Sequence, residues 1–232
     1  LGEGWTVLGQ LKFSDGQWGA TRRETVYGLE VLTARTDPEG WLGESRLRRA
    51  GRRLRRDGVV RTLAPARFDR WPLLERCGLC PVDPTGLVRA QCAMLAAEAL
   101  CRRGIAPDRA TVQLIGLRAD RDMARAAARL CRQVRYLVIT APNGGEELAR
   151  WLRQEFGVPV LPGGEEAQLS LRFHPQAPEG SAACLELYGL QPRLDGLKLC
   201  SPRLAEEDQE DLPLLAALWE GGKLGPDSLK IT

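Results

Sequence analysis

The chain has 232 residues, 44% of them hydrophobic and 27% charged, enough apolar content to bury one large core or two small ones. Its net charge of +3 is carried almost wholly by arginine, with lysine only at Lys12, Lys198, Lys223 and Lys230, a bias that a GC-rich genome produces without any phosphate recognition. No apolar run approaches the about 20 residues of a membrane-crossing helix, no basic-then-apolar leader opens the sequence, and the seven cysteines are odd in number. The expectation is a cytoplasmic protein with reduced thiols and no membrane partner.

In chain order, WTVLGQLKF and TVYGLEVLTAR read as two β-rich runs separated by SDGQWG, the pattern of a β-hairpin with a longer loop. After TDPEGWLGE, Ser45 is placed to cap the helix RLRRAGRRLRRD, in which Leu47, Ala50 and Leu54 share one face and Gly58 ends the run. That helix holds seven arginines, Arg46, Arg48, Arg49, Arg52, Arg53, Arg55 and Arg56, a charge density that suits nucleic acid or acidic lipid as well as plain solvent. VVRTLAP reads as a strand, FDRWPLLERCG as a short helix and LCPVD as a second short strand. Cys77 and Cys80 have C-x-x-C spacing, but no second such pair follows and the single histidine, His174, lies far off in sequence, so buried structural thiols are expected.

Pro84-Thr85-Gly86 then opens a mostly apolar helix from Leu87 to Arg103, stopped by Gly104. The buried run TVQLIGL feeds RADRDMARAAARLC through Gly116. A second strand, VRYLVITA, feeds GGEELARWLRQEFG through Asn143-Gly144-Gly145, and VPVL follows. Beyond a PGGEEA turn, QLSLRF, ACLELYGL and LDGLKLC read as strands, EEDQEDLPLLAALWEGG as a helix with acids in its first turn, and DSLKIT as a last strand. QAPEGS is the segment expected to be least ordered.

Strand, glycine turn and helix repeated in this way from Pro84 to Leu161 resemble the cofactor-binding half of shikimate-type and methylenetetrahydrofolate-type dehydrogenases. The resemblance implies a Rossmann-like fold and an NAD(P) site. The residues depart from that site: of the three fingerprint glycines only Gly116 is present, Arg118 and Arg121 standing at the other two positions, and Thr140-Ala141-Pro142 supplies neither an acid nor an arginine for the ribose. NAD(P) bound in the usual way is therefore not expected.

The fold expected is α/β, a single domain over 1–232: a β-hairpin plus Arg-rich helix (1–58), a Rossmann-like three-layer core (59–161) and a C-terminal β-rich extension (162–232). The leading functional expectation is a non-catalytic protein that binds a small anionic ligand or a protein partner. Free backbone N–H groups at the Asn143-Gly144-Gly145 turn, the side chains of Arg118 and Arg121, and Asp83 and Thr85 at a strand-to-helix junction would make the site with Gly116. Asp120 capping the helix from Arg121 is the structural alternative there. An oxidoreductase with an atypical NAD(P) site and a nucleic-acid binder using Arg48, Arg49, Arg52, Arg53, Arg55 and Arg56 are the competing functions. His174 lacks a nucleophile or acid at a telling spacing, no H-E-x-x-H, G-x-S-x-G, P-loop or paired metal motif occurs, and no catalytic residue or metal is assigned. An exposed sheet edge would permit a homodimer.

Overall fold

A computed structural model describes residues 7–14, 20–65, 68–157, 159–161, 166–180 and 183–232. The loop read from SDGQWG, most of the PGGEEA turn and the end of QAPEGS lie outside the described residues. The chain is α/β, with two mainly parallel sheets flanked by helices, and it divides into two compact units: Leu1–Asp83 with Arg203–Gly225, and Pro84–Pro202 with Pro226–Thr232. The boundary thus falls at Asp83–Pro84 instead of near Gly58 and Leu161. The reason lies in strand pairing, because the short runs ahead of Pro84 hydrogen-bond to the N-terminal strands.

In unit 1, β1 (Leu8–Phe13) is parallel both to β3 (Leu29–Thr36) and to β4 (Arg61–Leu63), and β5 (Cys80–Pro81) adds beyond β4. Gly9 makes the β1–β4 approach possible, since a Cβ there would come within 2.7 Å of Val59 Cγ1 and 2.9 Å of Thr62 Oγ1. A hairpin is present, but inside the second β-rich run: β2 (Arg22–Val26) turns antiparallel onto β3 through Tyr27 and Gly28, with φ of 48° and 81°. Positive φ at both central residues is the hairpin turn whose twist matches that of the strands. Tyrosine is an unusual occupant, so the run reads as continuous. Its hydroxyl donates to the Asp208 carboxylate at 2.6 Å and accepts the Ala205 N–H at 3.1 Å.

Helix α1 (Gly43–Arg56) buries Leu47, Ala50, Gly51 and Leu54 against Leu11, Leu32, Val59, Leu74 and Leu79. Complete burial of Leu47 and Leu54 is worth roughly 1.5–3 kcal/mol each. Gly51 lets the helix press on α2 (Trp71–Glu75), with Leu74 Cδ2 and Cys77 Sγ only 3.1 and 3.3 Å from where its Cβ would stand. The helix begins two residues ahead of Ser45, which is exposed within it and does not cap it. The start is set by the Pro38–Gly43 turn, where a Cβ on Gly43 would sit 1.9 Å from the Pro38 carbonyl oxygen. The last helix of the chain, α7 (Leu212–Glu220), belongs to this unit, and Leu214 to Leu218 are all buried. Its N-cap is Asp211, whose Oδ1 accepts the Leu214 N–H at 3.1 Å and whose carboxyl is pushed up by burial. The acids Glu206, Glu207, Asp208 and Glu210 lie in turns before the helix and not in its first turn.

Unit 2 holds α3 (Thr85–Ala90), α4 (Cys92–Arg102), β6 (Thr111–Ile115), α5 (Arg121–Leu130), β7 (Tyr136–Thr140), α6 (Gly145–Phe156), β8 (Val160–Leu161), β9 (Leu169–Arg172) and β10 (Cys184–Glu186). The helix expected from Leu87 to Arg103 is interrupted at the buried Gln91. The sheet order is β10-β9-β6-β7-β8, with every pair parallel. From β6 the chain steps outward through β7 and β8, then returns to lay β9 on the other flank of β6. That is the winding of a Rossmann-like half-fold, with its switch point between β6 and β9. Two of the strands read as a C-terminal extension therefore form one flank of the five-stranded sheet. β11 (Leu199–Cys200) and β12 (Lys230–Ile231) form a separate antiparallel pair. One polar rung crosses three strands: Ser170 Oγ donates to Gln113 Oε1 at 3.2 Å, and Gln113 Nε2 donates to Thr140 Oγ1 at 2.9 Å. A register slip would leave these groups unpaired, so the rung holds β9, β6 and β7 in line.

Gly43→Ala is expected to lower the stability of unit 1 by about 1–3 kcal/mol, because backbone and not a flexible side chain blocks the new methyl. A fall in the urea midpoint relative to wild type checks this; an unchanged midpoint would show that the turn is loose.

Candidate functional site

The carboxyl ends of β6, β7 and β9 bring several predicted residues together. Beyond β6 the chain runs Gly116-Leu117-Arg118-Ala119-Asp120 into α5; beyond β7 it runs Ala141-Pro142-Asn143-Gly144 into α6. The two turns are laced to each other. Ala119 N–H donates to the Asn143 carbonyl at 2.8 Å, Asn143 Nδ2 donates to the Leu117 carbonyl at 3.2 Å, and Arg118 bridges Asn143 through its backbone. Gly144 takes the left-handed conformation at φ 76° and flanks α6 without a side-chain cap. Arg118 and Arg121 are exposed at this edge.

Gly116 has no left-handed φ to accommodate. Packing is close there: a Cβ would lie 2.6 Å from Cε of the fully buried Met123 of α5, which reaches over the end of β6. The N-terminus of α5, where a Rossmann-like fold would hold pyrophosphate, carries the chain's own anions. Asp120 is its N-cap, Oδ1 accepting the Met123 N–H at 2.9 Å. Arg89, from α3, then closes the switch point: Nη1 lies 3.3 Å from Asp122 Oδ2 and 3.6 Å from Asp120 Oδ2, Nε donates to the Leu187 carbonyl at 3.2 Å, and Nη2 donates to the Phe173 carbonyl. The guanidinium also lies over the Phe173 ring, 5.6 Å from its centroid. Phe173 N–H donates to the Ile115 carbonyl at 2.8 Å, continuing the β6–β9 pairing past the strand ends.

Open volume lies on the other side of β7. A cavity of about 950 Å³ is lined, among the described residues, by Thr140, Asn143, Gly144, Glu147, Arg150 and Leu161 with their neighbours on α6 and β8. Arg153, also at its wall, is committed to the Val160 carbonyl at 2.9 Å, whereas Arg150 is exposed and makes no ion pair among the described residues. Glu146 and Glu147 occupy the first turn of α6.

The remaining candidates are placed elsewhere. Thr85 Oγ1 accepts the Gly189 N–H at 3.1 Å, and Asp83 ends unit 1 as an exposed residue. His174 is half-buried, its Nδ1 accepting the Gln176 N–H at 3.1 Å in a local turn. Cys77 and Cys80 donate weakly to the carbonyls of Arg48 and Val60. Arg89, Arg150 and Arg153 are not singled out by the sequence. Arg89 sits in VRAQ among many arginines, and its partners are 31 to 98 residues away, so no local spacing marks it.

No family model matches the chain, and no curated protein does. Solved structures do match. The probable ornithine cyclodeaminase from Bordetella pertussis Tohama I is 24% identical over 38% of this chain and 30% of that one, with a TM-score of 0.29. L-tryptophan dehydrogenase from Nostoc punctiforme is 13% identical over 72% of this chain and 56% of that one, with a TM-score of 0.30. The chain spans less than two thirds of the length of either. The class that the fold defines, a Rossmann-like α/β protein, rests on its own strand order.

Two measurements test the packing around the switch point and α4. Arg89→Ala removes the donor of the Leu187 and Phe173 carbonyls and the countercharge of Asp120 and Asp122, and is expected to cost about 1–3 kcal/mol, read as a lower unfolding midpoint, with Arg89→Lys between it and wild type. Burial pushes the Cys92 thiol up to about 12, so it is neutral at pH 8. A thiol reagent should label the exposed Cys80 and Cys101 first and reach Cys92 only in denaturant; early labelling of Cys92 by peptide mapping would contradict the packing of α4.

Proposed function

We propose that unit 2 is a small-molecule binding module whose ligand presents one anionic group, a phosphate or carboxylate, to the start of α6 and to Arg150. The observation that carries this reading is the cavity at the carboxyl edge of β7, a size that suits a metabolite. At its rim the N–H groups of Gly145, Glu146 and Glu147 have no protein partner among the described residues, and no side chain caps the helix in their place. Arg150 adds a forked donor. Glu146 and Glu147 line the same cavity, which disfavours a polyanion and suits an anion borne on a body with hydroxyl or ammonium donors, such as a sugar phosphate or an amino acid.

The usual dinucleotide pose has less support. Asp120 already meets the α5 N-terminus, Asp122 stands beside it, and Met123 fills the approach at Gly116. The strand order β10-β9-β6-β7-β8 favours a second reading, an oxidoreductase with an atypical NAD(P) site, and the two readings make opposite predictions.

Thermal-shift titration should show stabilisation by a sugar phosphate or an amino acid and none by NAD⁺ or NADP⁺; a ligand at a hundred times its Kd contributes about 2.7 kcal/mol. Arg150→Gln should weaken that binding roughly tenfold or more. Stabilisation by NAD(P) alone would transfer support to the oxidoreductase reading, and an unaffected Arg150→Gln affinity would remove the site from this cavity.

A further inference from the structure

Unit 1 carries a second surface that the small-ligand reading does not use. The face of α1 opposite its buried stripe is lined by Ser45, Arg48, Arg49, Arg52, Arg53 and Arg56, and these residues wall a groove of about 450 Å³. Part of the charge on it has no counterion among the described residues. Glu44 reaches Arg48 at 3.1 Å with both side chains well exposed, and Asp37 is taken by Arg46 at 2.7 Å. Arg49, Arg52 and Arg56 are exposed and make no ion pair among the described residues. Four residues ahead of Ser45 stands Trp41, 92% exposed, the most exposed large apolar side chain among the described residues. Trp41 belongs to the Pro38–Gly43 turn that leads into α1, closed by the Gly43 N–H to the Gly40 carbonyl at 3.1 Å.

We propose that this groove, with Trp41 at its head, binds single-stranded nucleic acid. From Arg48 to Arg56 the stripe is about 12 Å long at 1.5 Å per helical residue, which exceeds one phosphate and suits a chain of them. Guanidinium groups offer forked donors that pair phosphate oxygens two at a time. An exposed indole at one end supplies what phosphate contacts alone lack, a stacking platform for a base. A lipid surface fits less well. The apolar face of α1 is spent on Leu11, Leu32, Val59, Leu74 and Leu79 and is not free to enter a bilayer.

The experiment is fluorescence anisotropy of a labelled 20-nucleotide oligo(dT) with the full chain, titrated from 50 to 300 mM NaCl. Parallel arms use a duplex of the same length and vesicles containing phosphatidylserine. Wild type should bind the single strand more tightly than the duplex. The logarithmic salt slope should fall by about two on Arg49→Gln/Arg52→Gln/Arg56→Gln, near 0.7 for each phosphate that is no longer neutralised. Trp41→Ala should weaken single-strand binding roughly fivefold or more, with less effect on the duplex. All four side chains are exposed, and unchanged unfolding midpoints would confirm that the variants fold. Binding no tighter than 1 mM at 50 mM salt, a slope unmoved by the triple variant, or vesicle binding without oligonucleotide binding would overturn the proposal. None of these outcomes bears on the cavity of unit 2.

Discussion

The guanidinium of Arg89 holds together the part of unit 2 in which a Rossmann-like fold ordinarily keeps its ligand. It joins the start of α5, through Asp120 and Asp122, to the backbone beyond β9 at Phe173 and beyond β10 at Leu187. Side-chain exposure of Arg89 is only 16%, so water takes little part in satisfying it, and removing it would leave the Leu187 and Phe173 carbonyls without this donor. Because Asp120 supplies the anion at the α5 N-terminus and Arg89 supplies the countercharge, the switch point is electrostatically complete without any ligand. The same fold that elsewhere recruits pyrophosphate here recruits its own side chains.

Arg89, Met123 and the continued pairing of Phe173 with Ile115 pack at the β6–β9 end, and a concave volume lies beyond β7, bounded by α6 and β8. The lacing of Asn143 to Leu117 and Ala119 fixes the β7–α6 turn against the β6–α5 turn, so the start of α6 is a rigid edge of the cavity. Unit 1 solves a different problem. Its mainly parallel sheet is covered by α1, whose apolar stripe is fully used in the core, and this leaves the opposite face of the helix dense in positive charge.

Much of this is legible in the residues and some is not. Helices with strong periodicity are readable: Leu47, Ala50 and Leu54 are the buried stripe of α1, and Asp120 caps α5. The strand–Gly116–helix–strand rhythm locates the centre of the parallel sheet, because a run such as TVQLI has room for one buried strand and nothing longer. The hairpin turn at Tyr27-Gly28 escapes notice because its left-handed tyrosine is held by Asp208 and Ala205, about 180 residues away. Gly116 reads as a turn glycine, whereas in the fold the methyl of Met123 packs close over it.

The α/β class, the amphipathic helices and most glycine-marked turns are written in local sequence, since each follows from periodicity and backbone preference within a dozen residues. Local sequence also disclosed that two of the three fingerprint glycines are missing. Only the tertiary structure decided which strands share a sheet, that the boundary falls at Asp83–Pro84 while the chain later returns to unit 1, and that Arg89 meets Asp120 and Asp122 at the switch point. These depend on pairings between distant residues, and one arginine among many has no spacing by which its partners can be read. TVQLIGLRADRD marks the middle of the fold; what its carboxyl end can hold was decided by a side chain from the helix before it.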